Sequence, residues 1–279
     1  MAFTVNNMDF SSQEEFVNYG RGCATKIPTP VDIMLVDNEI SANKSRRVLF
    51  DKLDIEVKFH HITYGASGLV NKQQREKQIT LLNDAFKGAG IVFSYNEESV
   101  QYIDNQNWYY MGHGSISERE AKSSLGADAR KYLNFYTGGL RAGLLGWATF
   151  PFDLAGDPTL DGVVVLDESL PGGKAGPYNL GMTGVHEVGH WLGLYHTFQG
   201  GCDGIGDHVH DTPSHSSPNY GKPPVGQSHN ACMVGEQAPI HNYMNYVDDD
   251  WMKELTPAQE QRIKEHILMY RTGLLAPNL

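Results

Sequence analysis

The sequence predicts a mixed helix-and-strand fold, with a regular first part, a loop-rich second part and a closing helix. Two observations predict it. Strand and helix patterns alternate in the first half of the chain, and residues 197–255 are rich in Gly, Pro, Asp and His, which favour turns over ladders. No internal repeat or low-complexity tract interrupts this order.

The elements follow from local chemistry. "SSQEEFVNYG" (11–20) is a short helix candidate, with Ser12 and Glu15 spaced as a capping box. "RGCATKIPTP" breaks regular structure, and Thr29 with Pro30 can start a second short helix. "NKSRR" (43–47) is polar and basic and reads as a linker. "LDIEVKFHHITY" has the β-branched and aromatic content of a strand. "NKQQREKQITLLNDAFKGAG" is the clearest helix: Asn71 and Gln74 suit its start, Ile79, Leu82 and Phe86 form an apolar stripe, and Gly88 suits its end. "KYLNFYTG", "GLLGWATFP" and "GVVVLD" are further strands. "TPAQEQRIKEHILMYRTG" closes the chain as a helix, with Thr256 as cap, Pro257 in the first turn and Gly273 after the last.

Composition bounds the function. A chain of 279 residues can bury a proper core as one large domain or two sub-domains. A net charge of -11 argues against a nucleic-acid partner. No apolar run reaches the length that crosses a bilayer, so membrane insertion is not expected. The start, "MAFTVNNMDF", shows no secretory signal. Cys23, Cys202 and Cys232 permit one disulfide and one free thiol.

The chemistry is concentrated in "HEVGHWLGLYH", residues 186–196. His186 and His190 share a helix face, but on an unbroken helix His196 would lie roughly 80° off it and about 15 Å along the axis. Gly193 resolves this, because glycine reaches positive φ and ends helices. If the chain turns there, His196 swings back to complete a set of three imidazoles. Such a set holds zinc at about 2.0–2.1 Å and leaves the fourth position to water, which Glu187 can deprotonate as general base.

This extended motif resembles that of the metzincin zinc proteases. Met244 in "IHNYMNYVDDD" suits their methionine-containing turn, and Tyr246 matches a tyrosine that polarises the substrate carbonyl or stabilises the oxyanion in several of them. Together, "GLLGWATFP", "DGVVV", "LPGG", "YNLGMTGVHEVGHWLGLYHTFQGGC", "GDHVHDTP", "HNYMNY" and "LTPAQ" resemble the pappalysin family, especially its compact ulilysin-like members. The resemblance runs from about residue 140 to 262, and more loosely back to residue 20. It implies an α+β metzincin fold: an upper sub-domain over 48–196, a lower one over 197–279, and a cleft between them. It also implies a zinc-dependent endopeptidase acting on proteins or peptides, the substrate lying extended along an edge strand, for which "GLLGWATFP" is the candidate. A competing reading, a catalytically weak scaffold acting as a binding protein, is opposed by the intact Glu187.

Four finer expectations follow from the resemblance. These proteases usually carry two disulfides in the lower sub-domain. Cys202 and Cys232 match one pair, while Lys222 and Trp251 stand where the second would fall. The alternative is two reduced cysteines; a bridge implies a secreted, extracellular protein. Asp207, the Val209 carbonyl, Asp211 and Thr212 in "GDHVHDTP" offer hard oxygen ligands suited to Ca²⁺, although Asp and Thr before Pro are also common turn formers. Among Asp248, Asp249 and Asp250, Asp250 matches an aspartate at the base of the S1′ pocket that selects Arg or Lys.

The fourth concerns Cys23, which as a lone cysteine reads as a buried apolar residue, an intermolecular disulfide partner or a zinc ligand. Arg21, Cys23 and Thr25 match an Arg-x-Cys-x-Thr motif of ulilysin-like pro-segments, in which the thiolate occupies the fourth zinc position. Residues 1–47 are then an inhibitory pro-segment, cut near Arg46 and Arg47. The other histidines, His60, His61, His113, His208, His210, His215, His229, His241 and His266, have no ligand spacing and are expected to be surface or hydrogen-bonded residues.

Overall fold

In the computed structural model, residues 3–5, 8–12, 15, 22–43, 50–141 and 144–278 are described. Most of the helix expected over 11–20 lies outside them, as do Arg21, Arg46 and Arg47. Glu15 is helical, and its N–H donates to Ser12 Oγ at 3.0 Å, the expected capping contact.

A short hairpin, β1 (Phe3–Val5) and β2 (Met8–Phe10), precedes α1 (Pro30–Ala42). Helix α1 starts where Thr29 and Asp32 form a reciprocal capping box with Pro30 in the first turn. At thirteen residues it is longer than the short helix expected. It ends at Asn43, where the predicted linker begins.

The central sheet has the order β4-β3-β6-β8-β7, with β5 pairing the distal part of β3. Its strands are β3 (Leu53–Thr63), β4 (Ile91–Ser94), β5 (Gln101–Asp104), β6 (Tyr132–Gly138), β7 (Gly146–Ala148) and β8 (Val163–Leu166). All pairings are parallel except β7 with β8, so β7 is an antiparallel edge strand. "GLLGWATFP" thus supplies a strand, but only over three residues.

Both sheet faces are covered, as a mostly parallel sheet requires. Val163 and Val165 of β8 join a core with Leu82 and Phe86, while Val164 and Leu166 point to a second core with Tyr136 and Trp147. Helix α2 (Lys72–Phe86) lies over the first face, started by an Asn71–Gln74 capping box. Its end differs from expectation. The chain tightens into a 3₁₀ turn over Lys87–Ala89, and the left-handed residue is Gly90, with φ +73°, rather than Gly88. Two short helices, α3 (Gln106–Tyr109) and α4 (Ile116–Leu125), contribute to the second face, where Ala121 and Leu125 are buried.

Helix α5 (Met182–Trp191) carries the histidine motif and is buried from Thr183 onward. Residues 197–256 contain no α-helix or strand, only isolated bridges and a 3₁₀ turn at Asp249–Trp251. Helix α6 (Pro257–Tyr270) then returns, with the predicted Thr256 cap and Pro257 in its first turn. Its C-cap is Arg271; Gly273 sits in the following 3₁₀ segment without positive φ, so it does not end the helix as expected. Two arginines clamp α6 to the end of α5: Arg262 Nε donates to the Gly193 carbonyl (3.0 Å) and Arg271 Nε to that of Trp191 (2.9 Å). Cations there satisfy the orphan carbonyls of a helix C-terminus.

Candidate active site

Helix α5 stops where the sequence requires. Leu192 is its C-cap and Gly193 follows at φ +103°, a position where a β-carbon would lie 2.4 Å from the His266 ring. The turn returns His196 to the other two histidines. Nε2 of His190 and of His196 are 3.0 Å apart, and the rings of His186 and His196 have centroids 5.1 Å apart. Ligand atoms of His186, His190, His196 and Cys23 all lie within 4.8 Å of one another.

These residues fit a metal ion. His186 Nδ1 donates to the Tyr243 carbonyl and His190 Nδ1 to that of Leu194, each at 2.7 Å, which turns Nε2 towards the common centre. His186 Nε2 is buried with no hydrogen-bond partner, an orphan that an ion would satisfy. Burial lowers the His186 pKa to about 4 and those of His190 and His196 well below the ordinary range, so all three are neutral imidazoles, the ligating form.

Glu187 lies on the same helix, 1% exposed, and burial pushes it up to about 8 despite hydrogen bonds from Cys23 and Thr25 that pull it down. Met244 packs beneath, with no exposed surface and its sulfur against Gly189 of α5. Tyr246 places its hydroxyl 3.1 Å from His196 Nε2.

The segment around Cys23 runs beside the histidines along the edge of β7. The Leu145 N–H donates to the Gly22 carbonyl (3.3 Å) and the Ala24 N–H to that of Gly146 (2.8 Å), so residues 22–24 extend the sheet beyond β7. Cys23 Sγ is 3.3 Å from Glu187 Oε2, and burial, then the Glu187 charge, push its thiol up. Thr25 Oγ1 donates to the same carboxylate oxygen at 3.0 Å.

Below the histidines a pocket is lined by Tyr178, Thr183, Tyr220, Val247, Asp249 and Met252. Asp250, the residue matched to the pocket base, is not among those that line it. That side chain is about half exposed and ion-paired with Lys222, outside the pocket. Its neighbour Asp249 is 1% exposed and lines the pocket, and its Oδ2 accepts the N–H groups of Leu180 (2.8 Å) and Met182 (3.3 Å). Burial raises the Asp249 pKa to about 7, against the pull of those two N–H groups.

In the loop after α5, Cys202 and Cys232 form a disulfide across 30 residues, a closure that stabilises by about 3–4 kcal/mol in the chain-entropy model. Asp207, Val209 and Thr212 are buried. Asp207 Oδ2 and Asp211 Oδ1 are buried without hydrogen-bond partners, and the Val209 carbonyl accepts the Thr212 N–H at 3.3 Å. Burial pushes Asp207 up to about 7. Of the remaining histidines, His60, His61 and His215 are buried and hydrogen-bonded, one of the two expected outcomes, and His266 is buried.

Three neutral imidazoles around one point, with a carboxylate on the next residue of the helix, make a metal-dependent hydrolase centre. Similarity to known proteins narrows this. The peptidase M43 family model, described as pregnancy-associated plasma protein-A, matches residues 121–268. The chain is 35% identical over 265 residues to extracellular metalloprotease 1 of Coccidioides posadasii, covering 92% of both chains. It is 38% identical over 227 residues to an extracellular metalloprotease of Sordaria macrospora, covering 79% of this chain and 77% of that one. Its fold matches a promirolysin mutant of Tannerella forsythia with a TM-score of 0.79 and 24% identity, over 93% of this chain and 99% of that one. Mature mirolysin in complex with a cleaved peptide matches with a TM-score of 0.69 and 26% identity, over 80% and 98%. The chain belongs to the peptidase M43 (pappalysin) family of metalloendopeptidases, and its histidine cluster is the family's metal-binding group.

Proposed function

We propose that the protein is an extracellular zinc endopeptidase made as a latent zymogen, with residues 1–47 as inhibitory pro-segment and a preference for Arg or Lys at P1′. The observation that carries this is the convergence of Cys23 with His186, His190 and His196. A thiol at the fourth position of a three-histidine set would take the place of the catalytic water. The pairing of residues 22–24 with the β7 edge supports that reading, because an extended substrate would use the same backbone groups. So does the larger share of the chain matched by the pro form of mirolysin than by its mature form.

With the cleft free, His186, His190 and His196 would hold the zinc, which would supply Lewis-acid polarisation of the scissile carbonyl and of water. Glu187 takes the proton from the attacking water and passes it to the leaving amine. The Tyr246 hydroxyl, beside the third ligand, donates to the developing oxyanion. Asp249, at the pocket wall, is the carboxylate that would receive a basic P1′ side chain. Asp207, the Val209 carbonyl, Asp211 and Thr212 would hold a calcium ion, and their unpaired buried carboxylate oxygens support it. The extracellular setting rests on the relatives' names and on the disulfide.

The test is a time course of the full chain beside Cys23→Ala and Glu187→Ala, followed by mass spectrometry and by cleavage of a peptide library. Faster loss of the first forty-odd residues in Cys23→Ala, none in Glu187→Ala, and basic residues after the cut bond are expected. A Cys23→Ala chain neither processed faster nor more active while uncut would refute latency, and cuts without basic P1′ enrichment would refute the specificity.

A further inference from the structure

The three metal ligands are not held alike. His186 and His190 each spend Nδ1 on a backbone carbonyl, which fixes the ring plane and the tautomer together. For His196 no Nδ1 acceptor stands among the described residues; its described hydrogen-bonding contacts are at Nε2. Yet its ring must be held as firmly, since it alone of the three lies beyond the end of α5.

What fixes it is an aromatic face. The Phe198 ring stacks on the His196 imidazole, with centroids 4.8 Å apart and planes 14° from parallel. Phe198 is in turn wedged edge-on by His215 (6.0 Å, 84°) and by Tyr246 (4.9 Å, 69°). His215 is fully buried and bonded at both nitrogens, Nδ1 to the Ser217 carbonyl and Nε2 to Thr197 Oγ1, each at 2.9 Å. Thr197 lies between the stacked pair in sequence, and its N–H donates to the Met244 carbonyl at 3.2 Å. The chain from His196 to Phe198 therefore closes through Thr197 and His215 into a ring of contacts. Offset stacking on one face restricts the imidazole plane while leaving both ring nitrogens in its edge available, so it can substitute for a hydrogen bond as an orienting device.

We propose that Phe198 is a positioning residue for the metal site: its ring, braced by His215, sets the plane of the third ligand, the part that backbone carbonyls play for His186 and His190. Any aromatic ring of similar size preserves the function, whereas an aliphatic side chain of similar volume fills the space but leaves the imidazole free to rotate.

The proposal rests on the zinc-site reading, and the test separates the two. The full chain in a Glu187→Ala background, which stays uncut, is compared with the same chain carrying Phe198→Leu, Phe198→Met or Phe198→Tyr. The readouts are zinc content, the rate of zinc release to a chelator, the visible spectrum of the cobalt(II)-substituted form, and the melting temperature without metal. Zinc release at least about tenfold faster in the Leu and Met variants is expected, the low end of what partners of metal ligands contribute. Their cobalt bands should weaken or move, while melting without metal stays near the parent value and Phe198→Tyr restores parental release. Phe198→Met releasing zinc as slowly as the parent, or Phe198→Tyr as fast as Phe198→Met, would overturn the role. If Phe198→Leu does not fold, the Met and Tyr variants decide. A parent chain that binds no zinc would instead refute the metal centre, and the role with it.

Discussion

Thr25 Oγ1 donates to Glu187 Oε2 at 3.0 Å and at the same oxygen accepts the Ala148 N–H at 2.8 Å. One hydroxyl thus engages both the carboxylate next to the first metal ligand and a backbone donor of edge strand β7. The thiol of Cys23 reaches that carboxylate from beside it. Residues 23 and 25 are accordingly both fastened to Glu187, the residue proposed as general base.

Removing the hydroxyl should loosen latency without touching the thiol. Thr25→Val is expected to raise the activity of the uncut chain about tenfold, the equivalent of one charge-assisted hydrogen bond, while Thr25→Ser stays close to wild type. Hydrolysis of a quenched peptide by freshly purified, unprocessed chain measures this. Equal leakage from wild type and Thr25→Val would show that the contact contributes nothing to latency.

Asp249 should decide P1′ choice. In processed enzyme, Asp249→Asn is expected to lower the ratio of kcat/KM for Arg against Leu at P1′ by roughly two orders of magnitude, because a buried cation would lose its counter-charge. Burial places the Asp249 pKa at about 7, so kcat/KM for the Arg substrate should rise with pH as the carboxylate ionises. The Asn variant should lack that limb, and Asp250→Asn should behave as wild type. A preference that followed Asp250 instead would reverse the assignment.

Calcium should stabilise the loop-rich part. Chelation with EGTA at constant free zinc is expected to lower Tm by about 5 °C or more, taking a loss of about 2.7 kcal/mol for a site at a hundred times its Kd. Asp207→Asn should melt lower and respond less to EGTA. An unchanged melting curve would exclude the site.

Acid should destabilise the sheet through His61. Burial first, then the charges of Arg75 and His60, lower its pKa to about 3 from an ordinary 6.5. Between those values the unfolded chain binds the extra proton, so this contribution to stability is complete above about pH 6.5 and is lost as pH falls towards 3. The slope is at most about 1.4 kcal/mol per pH unit. Urea unfolding across that range should show wild type losing stability more steeply than His61→Phe; parallel lines would remove His61 as the cause.

Much of the site is legible in the sequence. The spacing of His186, Glu187, His190 and His196 with Gly193 carries its own geometry, since helix pitch and one positive φ bring three rings together. The starts of α1, α2 and α6 are equally legible, because a capping box joins residues three apart. Helix ends are less so: at the end of α2 two glycines compete, and the close fit of Gly90 against the Asp51 carbonyl, a contact from outside the helix, accompanies the left-handed turn there.

What the chain alone determined about this protein is therefore its local chemistry and its family: the histidine motif and the helix starts. What only the tertiary structure decided is which of several equivalent side chains reach the site. Asp249 and Asp250 are adjacent and identical in type, but a 3₁₀ turn sends one under the metal cluster and the other to Lys222 in solvent. Thr25 meets Glu187 across 162 positions, and Phe198 and His215 look like ordinary loop residues until the fold stacks them behind His196. The physical reason is range. Caps, turns and helix faces are set by sterics and hydrogen bonds within a few residues, whereas these contacts exist only once the sheet edge, α5 and the 197–256 loops have closed on one another.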